Sequence, residues 1–294
     1  MIRPRAPRSA LALLASVLLS AACASSPPPV VPVAPAAPAG AAAASSAAAA
    51  PSPSAATPPS PSAAAPSSSD AAGQPISLPR GASGWLALPA GSGKRPALLV
   101  IQEWWGMNDW IKQNAARFAS AGYVALAVDL YRGKVAHDPG EAHELMRGLP
   151  EDRALGDMKE AFEWLSSRPD VDARRIGIVG WCMGGGYALG FAVAEPRLRA
   201  AAVNYGRLVT APEKIAAINA SILGDFAGQD RGISPDDVRA FADQLKAAHK
   251  DADVKVYDGA KHAFMNPNNK EGYDEAAAKD AWARIDAFFA RTLK

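Results

Sequence analysis

A cysteine flanked by glycines, an aspartate and a histidine follow one another in the order expected for nucleophilic catalysis. Cys182 lies in the pentapeptide Gly-Trp-Cys-Met-Gly at 180–184, and Asp230 and His262 come later in the chain. A cysteine can attack a carbonyl carbon when a histidine removes its proton and a carboxylate orients that histidine. We therefore predict that Cys182 is the nucleophile, that His262 is the general base and that Asp230 fixes the imidazole tautomer.

The sequence around Cys182 predicts a tight turn between a strand and a helix. Residues 175–180 are typical of a buried strand, and an alanine-rich stretch typical of a helix continues to about Ala194. Glycines permit a nucleophile to occupy a strained turn, and the start of a helix favours an anion. The backbone N–H of Met183 would then donate to an oxyanion. A packed core thiol is the alternative role for Cys182.

Asp230 and His262 each follow a predicted strand, at 221–226 and 254–257. The carboxyl ends of parallel strands share one edge of a sheet, and ligands bind at that edge. We therefore expect both side chains to lie near Cys182. An ordinary turn aspartate and an ordinary loop histidine are the alternatives.

Strand and helix patterns alternate along residues 76–294. Strands are predicted at 96–102, 123–130, 175–180, 200–205, 221–226 and 254–257. Helices are predicted at 109–121, 139–149, 150–167, 234–250 and 273–293, and another runs from the glycine-rich turn to about Ala194. A hairpin is expected near 76–90. This alternation predicts an α/β fold, with a mainly parallel, doubly wound sheet covered by helices on both faces.

Residues 1–23 have the features of an export signal. Three arginines precede an apolar stretch at 11–19 that is too short to span a bilayer. The small residues around Cys23 resemble a lipobox, although Ser20 stands where leucine is usual. We predict an exported, extracytoplasmic lipoprotein with a lipid on Cys23. The alternatives are cleavage within 22–24 to give a soluble exported chain, and a cytosolic chain.

The remaining composition predicts a tether and one folded domain. Residues 24–75 are rich in alanine, proline and serine and carry one charged side chain, which predicts a disordered linker. Residues 76–294 are long enough for a single domain and carry equal numbers of basic and acidic side chains. That balance argues against binding to nucleic acid or to a membrane surface through basic patches. Cys182 is the only cysteine of this domain, so an internal disulfide is excluded.

No metal or cofactor is expected. His137, Glu141 and His143 lack the spacing that places zinc ligands on one helix face. The glycines at 184–186 lack the dinucleotide-binding pattern and are better explained by the turn at Cys182.

Five sequence blocks together resemble the dienelactone hydrolase family. They are Gln-Glu-Trp-Trp-Gly at 102–106, Asp-Leu-Tyr at 129–131, Gly-Trp-Cys-Met-Gly-Gly at 180–185, Gly-Gln-Asp at 228–230 and His-Ala-Phe at 262–264. The resemblance covers residues 76–294. It implies the α/β-hydrolase fold, a catalytic triad of Cys182, Asp230 and His262, and hydrolysis of small carboxylic esters or lactones through an acyl-cysteine.

The resemblance also implies roles for residues around the nucleophile. Glu103 matches a carboxylate that contacts the cysteine and takes part in its activation, and Trp104 matches the residue that supplies a second oxyanion-hole N–H beside Met183. Trp104, Trp105 and Tyr205 are expected to line the substrate pocket. Capping of the following helix is the alternative for Glu103, and plain packing is the alternative for the aromatic residues.

Two departures from the family concern the substrate. Asn266 stands four residues after His262, where the family has an arginine that holds the substrate carboxylate. Arg132 lies close to the place of a second such arginine and is expected to bind substrate. Loss of a bidentate carboxylate partner weakens the case for an anionic substrate. A tethered binding protein without turnover, a thioesterase and an acyl transferase are the alternative functions.

Overall fold

Eight strands and seven helices alternate along residues 73–294, which are the residues that the computed structural model describes. The strands are β1 (Gln74–Ser77), β2 (Ser83–Ala87), β3 (Arg95–Ile101), β4 (Val124–Val128), β5 (Val171–Trp181), β6 (Ala200–Asn204), β7 (Ser221–Ala227) and β8 (Ala252–Tyr257). The helices are α1 (Asp109–Ser120), α2 (Pro139–Arg147), α3 (Glu151–Ser167), α4 (Met183–Ala194), α5 (Pro212–Ala217), α6 (Pro235–Ala247) and α7 (Glu275–Leu293).

All eight strands join one sheet in the order β1-β2-β4-β3-β5-β6-β7-β8. β2 pairs antiparallel with both β1 and β4, and every other pair in the sheet is parallel. The predicted N-terminal hairpin corresponds to β1 and β2. The expected α/β fold with a mainly parallel, doubly wound sheet is therefore confirmed.

Helices bury both faces of the sheet, which explains why its central strands are apolar throughout rather than alternating. α1 and α7 cover one face, where Phe118 and Phe289 pack with ring centroids 6.0 Å apart. α3, α4, α5 and α6 cover the other face, where Phe162 and Phe191 pack at 5.9 Å. The core therefore consists of two hydrophobic layers, one on each face of the sheet.

Two elements differ from the sequence-based prediction. β5 begins at Val171 rather than near residue 175, because Val171 pairs with Arg95 across an irregularity in the parallel ladder. The short helix α5 was not predicted, since its six residues are too few to show a clear helical period.

The predicted export signal at 1–23, with the predicted lipidation site Cys23, and most of the predicted linker at 24–75 lie outside the described residues. β1 begins at Gln74, slightly before the expected domain boundary. Within residues 73–294, no helix combines the length and the hydropathy that crossing a bilayer requires.

Candidate active site

Cys182 occupies a sharp turn between β5 and α4. Its backbone has φ 53° and ψ −120°, a conformation that side-chain-bearing residues rarely adopt. A Cβ on Gly180 would overlap the backbone of Gly184, and a Cβ on Gly184 would overlap the carbonyl oxygens of Ile101 and Gln102 at the end of β3. The two glycines are thus required by close backbone approach, and the turn raises Cys182 above the sheet edge, where it is partly exposed.

His262 and Asp230 form a hydrogen-bonded pair in the loops after β8 and β7. The Nδ1 atom of His262 lies 2.5 Å from Oδ2 of Asp230. The other carboxylate oxygen of Asp230 accepts hydrogen bonds from the backbone N–H groups of Gly232, at 2.8 Å, and Ile233, at 3.3 Å. The Asp230 side chain is 4% exposed and that of His262 is 40% exposed. Asp230 is thus buried, whereas part of the His262 side chain is exposed.

Electrostatics in this pair favour a carboxylate next to an imidazolium. Burial raises the pKa of Asp230, but the hydrogen bond from His262 and those from the backbone outweigh burial and hold the pKa below its ordinary value. Burial lowers the pKa of His262, but its interactions with Asp230 and Cys182 outweigh that effect and raise it to about 10. A histidine that is protonated beside a cysteine favours the thiolate, which is the nucleophilic form of the side chain.

Glu103 is a buried carboxyl group at the end of β3. It is 2% exposed, and its Oε2 accepts a 2.6 Å hydrogen bond from the side-chain amide of Asn266. Burial raises the pKa of Glu103 to about 7, and the hydrogen bond from Asn266 and the charge of His262 oppose only part of that effect. Burial therefore favours the protonated form of Glu103.

Cys182, His262 and Glu103 face one cavity of about 710 Å³, a size suited to a small organic ligand. Most of the exposed surface of the wall is apolar, although polar and charged side chains are also among its lining residues. The remaining lining residues are Trp104, Trp105, Asn108, Ala136, Met146, Ala263, Asn266, Asn268, Asn269, Lys270 and Glu271. The arrangement places a nucleophile, a base and an acidic group around one substrate-sized space.

The aromatic residues singled out in the sequence take different positions. Trp104 and Trp105 line the cavity, and their rings meet edge to face with centroids 5.1 Å apart. Tyr205 is fully buried and packs edge to face behind the His262 ring, with centroids 5.3 Å apart, so it supports the base rather than lining the cavity. Met183 is the first residue of α4, where a backbone N–H has no intrahelical acceptor.

Arg132 does not lie at the cavity, contrary to the sequence-based expectation. Its exposed guanidinium pairs with Asp157 of α3 at 2.9 Å, and Arg132 borders a separate cleft beside β1 and β2. The backbone at Arg132 has φ 52°, in the turn that follows the block at 129–131. This turn and the ion pair direct the side chain away from Cys182.

The asparagines after His262 are functional candidates that the sequence analysis did not single out, apart from Asn266. Asn268 and Asn269 line the cavity, and the Asn269 amide donates to the carbonyl oxygen of His262 at 3.0 Å. The repetition of asparagine at 266, 268 and 269 was the available signal. In residues 73–294, no cluster of three or more acidic, histidine or cysteine side chains is arranged to hold a metal ion.

The sheet, the cysteine turn and the strand-end loops define an enzyme with the α/β-hydrolase fold. The chain belongs to the dienelactone hydrolase family, whose model matches residues 82–293. It is therefore a hydrolase of this family, as its sequence blocks indicated.

Individual relatives agree with this assignment. A Salmonella typhi protein named "Putative carboxymethylenebutenolidase" is 36% identical over 216 residues, which cover 69% of this chain and 79% of the relative. The protein named usf of Aquifex pyrophilus is 34% identical over 217 residues, covering 71% of this chain and 93% of the relative. A crystal structure from Klebsiella pneumoniae, described as a "Putative Dienelactone Hydrolase", superposes with a TM-score of 0.68 at 31% identity and covers 74% of this chain and 98% of its own.

Proposed function

We propose that this protein hydrolyses carboxylic esters or lactones through an acyl-cysteine intermediate. The observation that carries the proposal is the shared cavity of Cys182 and His262, with the imidazole held by Asp230 at 2.5 Å. A nucleophile, a base and an orienting carboxylate in this relation make up a triad. The aromatic wall of the cavity suits a small, largely apolar ester.

Before the first half-reaction the Cys182 proton passes to His262, whose raised pKa favours a thiolate beside an imidazolium, and the sulfur then attacks the ester carbonyl carbon. The C–S bond forms, and the carbonyl oxygen becomes an oxyanion that the backbone N–H groups of Met183 and Trp104 stabilise. The tetrahedral intermediate then collapses, the C–O bond to the alcohol breaks, and His262 returns the proton to the departing oxygen.

In the second half-reaction a water molecule attacks the acyl-cysteine. His262 removes a proton from the water as the new C–O bond forms, and the C–S bond breaks with return of a proton to sulfur. Asp230 keeps Nδ1 protonated in both halves, so Nε2 is the nitrogen that exchanges protons. A lactone substrate follows the same steps, except that its alcohol stays attached to the acyl group.

The direct test is pre-steady-state hydrolysis of an activated aryl ester. We expect a burst of phenol equal to the enzyme concentration, its loss in Cys182→Ala and its block by iodoacetamide. Equal hydrolysis by the wild type and Cys182→Ala would reject the proposal. Product analysis with added alcohol or thiol acceptors distinguishes hydrolysis from acyl transfer, and a thioester substrate tests thioesterase activity.

We also propose that the chain is exported and anchored by a lipid on Cys23. The support is the sequence alone, in the basic start, the short apolar stretch at 11–19 and the small residues before the cysteine. We expect Cys23→Ser to release the protein from the membrane fraction of cells. Unchanged fractionation of Cys23→Ser would contradict the lipid anchor.

A further inference from the structure

Asn266 is buried beside the nucleophile, and its contacts link the loop of His262 to the end of β3. It is 3% exposed, and its Nδ2 donates to Oε2 of Glu103 at 2.6 Å. Its Oδ1 accepts the backbone N–H of Asn268 at 2.9 Å. A backbone N–H can only donate, so the amide oxygen must face Asn268 and the amide nitrogen must face Glu103. The hydrogen-bond network thus fixes the direction of the Asn266 side chain.

The second oxygen of Glu103 is unpartnered. Oε1 is buried and makes no hydrogen bond in the described part of the chain, and the same holds for the hydroxyl of Tyr205. These two groups lie close enough for the hydroxyl to lower the pKa of the carboxyl, without reaching hydrogen-bond geometry. Tyr205 and His262 are the titratable groups that change the pKa of Glu103, and Cys182 lines the same cavity.

We propose that Asn266 is a positioning residue that acts on Cys182 through Glu103, because its amide holds Oε2 and leaves Oε1 as the oxygen that gains or loses a proton. This inference rests on the proposed role of Cys182 as nucleophile. An amide donates a hydrogen bond to a carboxylic acid and to a carboxylate alike, so it holds Glu103 in place without forcing a charge. A cation at residue 266 would instead favour the ionised form.

The charge on Glu103 then acts on the reacting sulfur. When Glu103 loses its proton to solvent, the carboxylate left behind repels a thiolate at Cys182. Burial raises the pKa of Tyr205 well above its ordinary value, so its hydroxyl stays neutral through this change. Because kcat/KM depends on the thiolate, part of its pH dependence must follow the protonation of Glu103.

Infrared difference spectroscopy tests the first half of this proposal without any turnover. The stretching band of a protonated carboxyl group that disappears in Glu103→Gln belongs to Glu103. This assignment distinguishes it from Asp225, another buried carboxyl group, whose pKa is raised by burial to about 6. The hydrogen bond from Asn266 lowers the pKa of Glu103. Asn266→Ala should therefore raise the midpoint of the band by about one pH unit, and Asn266→Asp should raise it further because it adds a like charge.

The pH profile of kcat/KM tests the second half. One limb of the pH profile should be lost in Glu103→Gln, and in both Asn266 variants that limb should move with the infrared midpoint. In the double variant, with Gln at 103, Asn266→Ala should leave the pH profile where it is in Glu103→Gln alone. Asn219→Ala is the control, since Asn219 is an exposed amide outside the cavity; its pH profile should match that of the wild type.

Two results would overturn the role of Asn266. One is an unmoved infrared midpoint in both folded Asn266 variants. The other is that Asn266→Ala lowers kcat/KM by the same factor in the wild type and in Glu103→Gln, as expected for a residue with a structural role alone. Failure of the proposed hydrolysis is distinguishable, because it abolishes turnover in the wild type and leaves the infrared titration intact.

Discussion

His262 Nδ1 lies 2.5 Å from the carboxylate of Asp230, although the two residues are 32 positions apart and follow different strands. Two backbone N–H groups hold the other oxygen of Asp230, so the carboxylate cannot rotate away from the ring. The contact therefore selects the tautomer with the proton on Nδ1 and stabilises the cation that forms when His262 accepts a second proton.

Asp230→Asn should lower kcat/KM by roughly 10²–10⁴-fold, because the amide neither stabilises an imidazolium nor enforces the tautomer. Steady-state hydrolysis of an aryl ester measures the loss. Asp236→Asn is the matched control, since Asp236 is an exposed carboxylate in the first turn of α6 and should have activity close to wild type. Comparable activity of Asp230→Asn and Asp236→Asn would contradict the assigned role of Asp230.

Glu103→Gln should stabilise the fold at alkaline pH. Burial raises the pKa of Glu103 from 4.5 to about 7, so folding favours the protonated form. The stability gained from that proton is complete below pH 4.5 and is lost as the pH rises through 7. A neutral glutamine keeps the acceptor for Asn266 and avoids that loss, which amounts to about 3 kcal/mol.

The measurement is denaturant unfolding of Glu103→Gln and wild type at acidic and alkaline pH. The difference in unfolding free energy should grow in favour of the variant between pH 4.5 and 7. Glu271→Gln, at an exposed carboxylate of the same cavity, should show no such pH dependence. If the difference in unfolding free energy between Glu103→Gln and wild type stayed constant with pH, burial would not raise the pKa of Glu103.

Gly184→Ala should destabilise the protein by about 1–3 kcal/mol and abolish hydrolysis, because its Cβ would overlap carbonyl oxygens at the end of β3. Displacing that backbone moves both the nucleophile and Trp104. Gly190→Ala, in the same helix, meets no atom within 4 Å and should be neutral or stabilising. Thermal unfolding and aryl ester hydrolysis compare the two variants, and equal behaviour would refute the close packing at the turn.

Neutral lactones should be better substrates than carboxylate-bearing lactones of the same ring size. Apart from His262, the lining of the cavity has one basic side chain, Lys270, next to an acidic one, Glu271, and Arg132 is paired with Asp157 elsewhere. The site thus offers a substrate carboxylate no bidentate guanidinium. A matched panel compared by kcat/KM measures the preference, and a higher kcat/KM for the anionic members would show that another group binds the carboxylate.

The strands and the positions of the three proposed triad residues were predictable because they depend on local patterns. Cys182 stands between glycines after an apolar run, and Asp230 and His262 follow strands in the expected order. The position of Arg132 was not predictable, since it depends on a turn with φ 52° and on a partner 25 residues away. The Asn266–Glu103 contact spans 163 residues, and only the folded sheet brings its ends together.

In the proposed reaction Cys182 carries the acyl group during turnover. Rapid quenching of an aryl ester reaction, followed by peptide mass spectrometry, tests it directly. We expect the mass of the acyl group on the peptide that contains Cys182, with a rise and decay that match the burst and the steady state. An acyl group on a different residue, or none at all in an enzyme that still turns over, would contradict it.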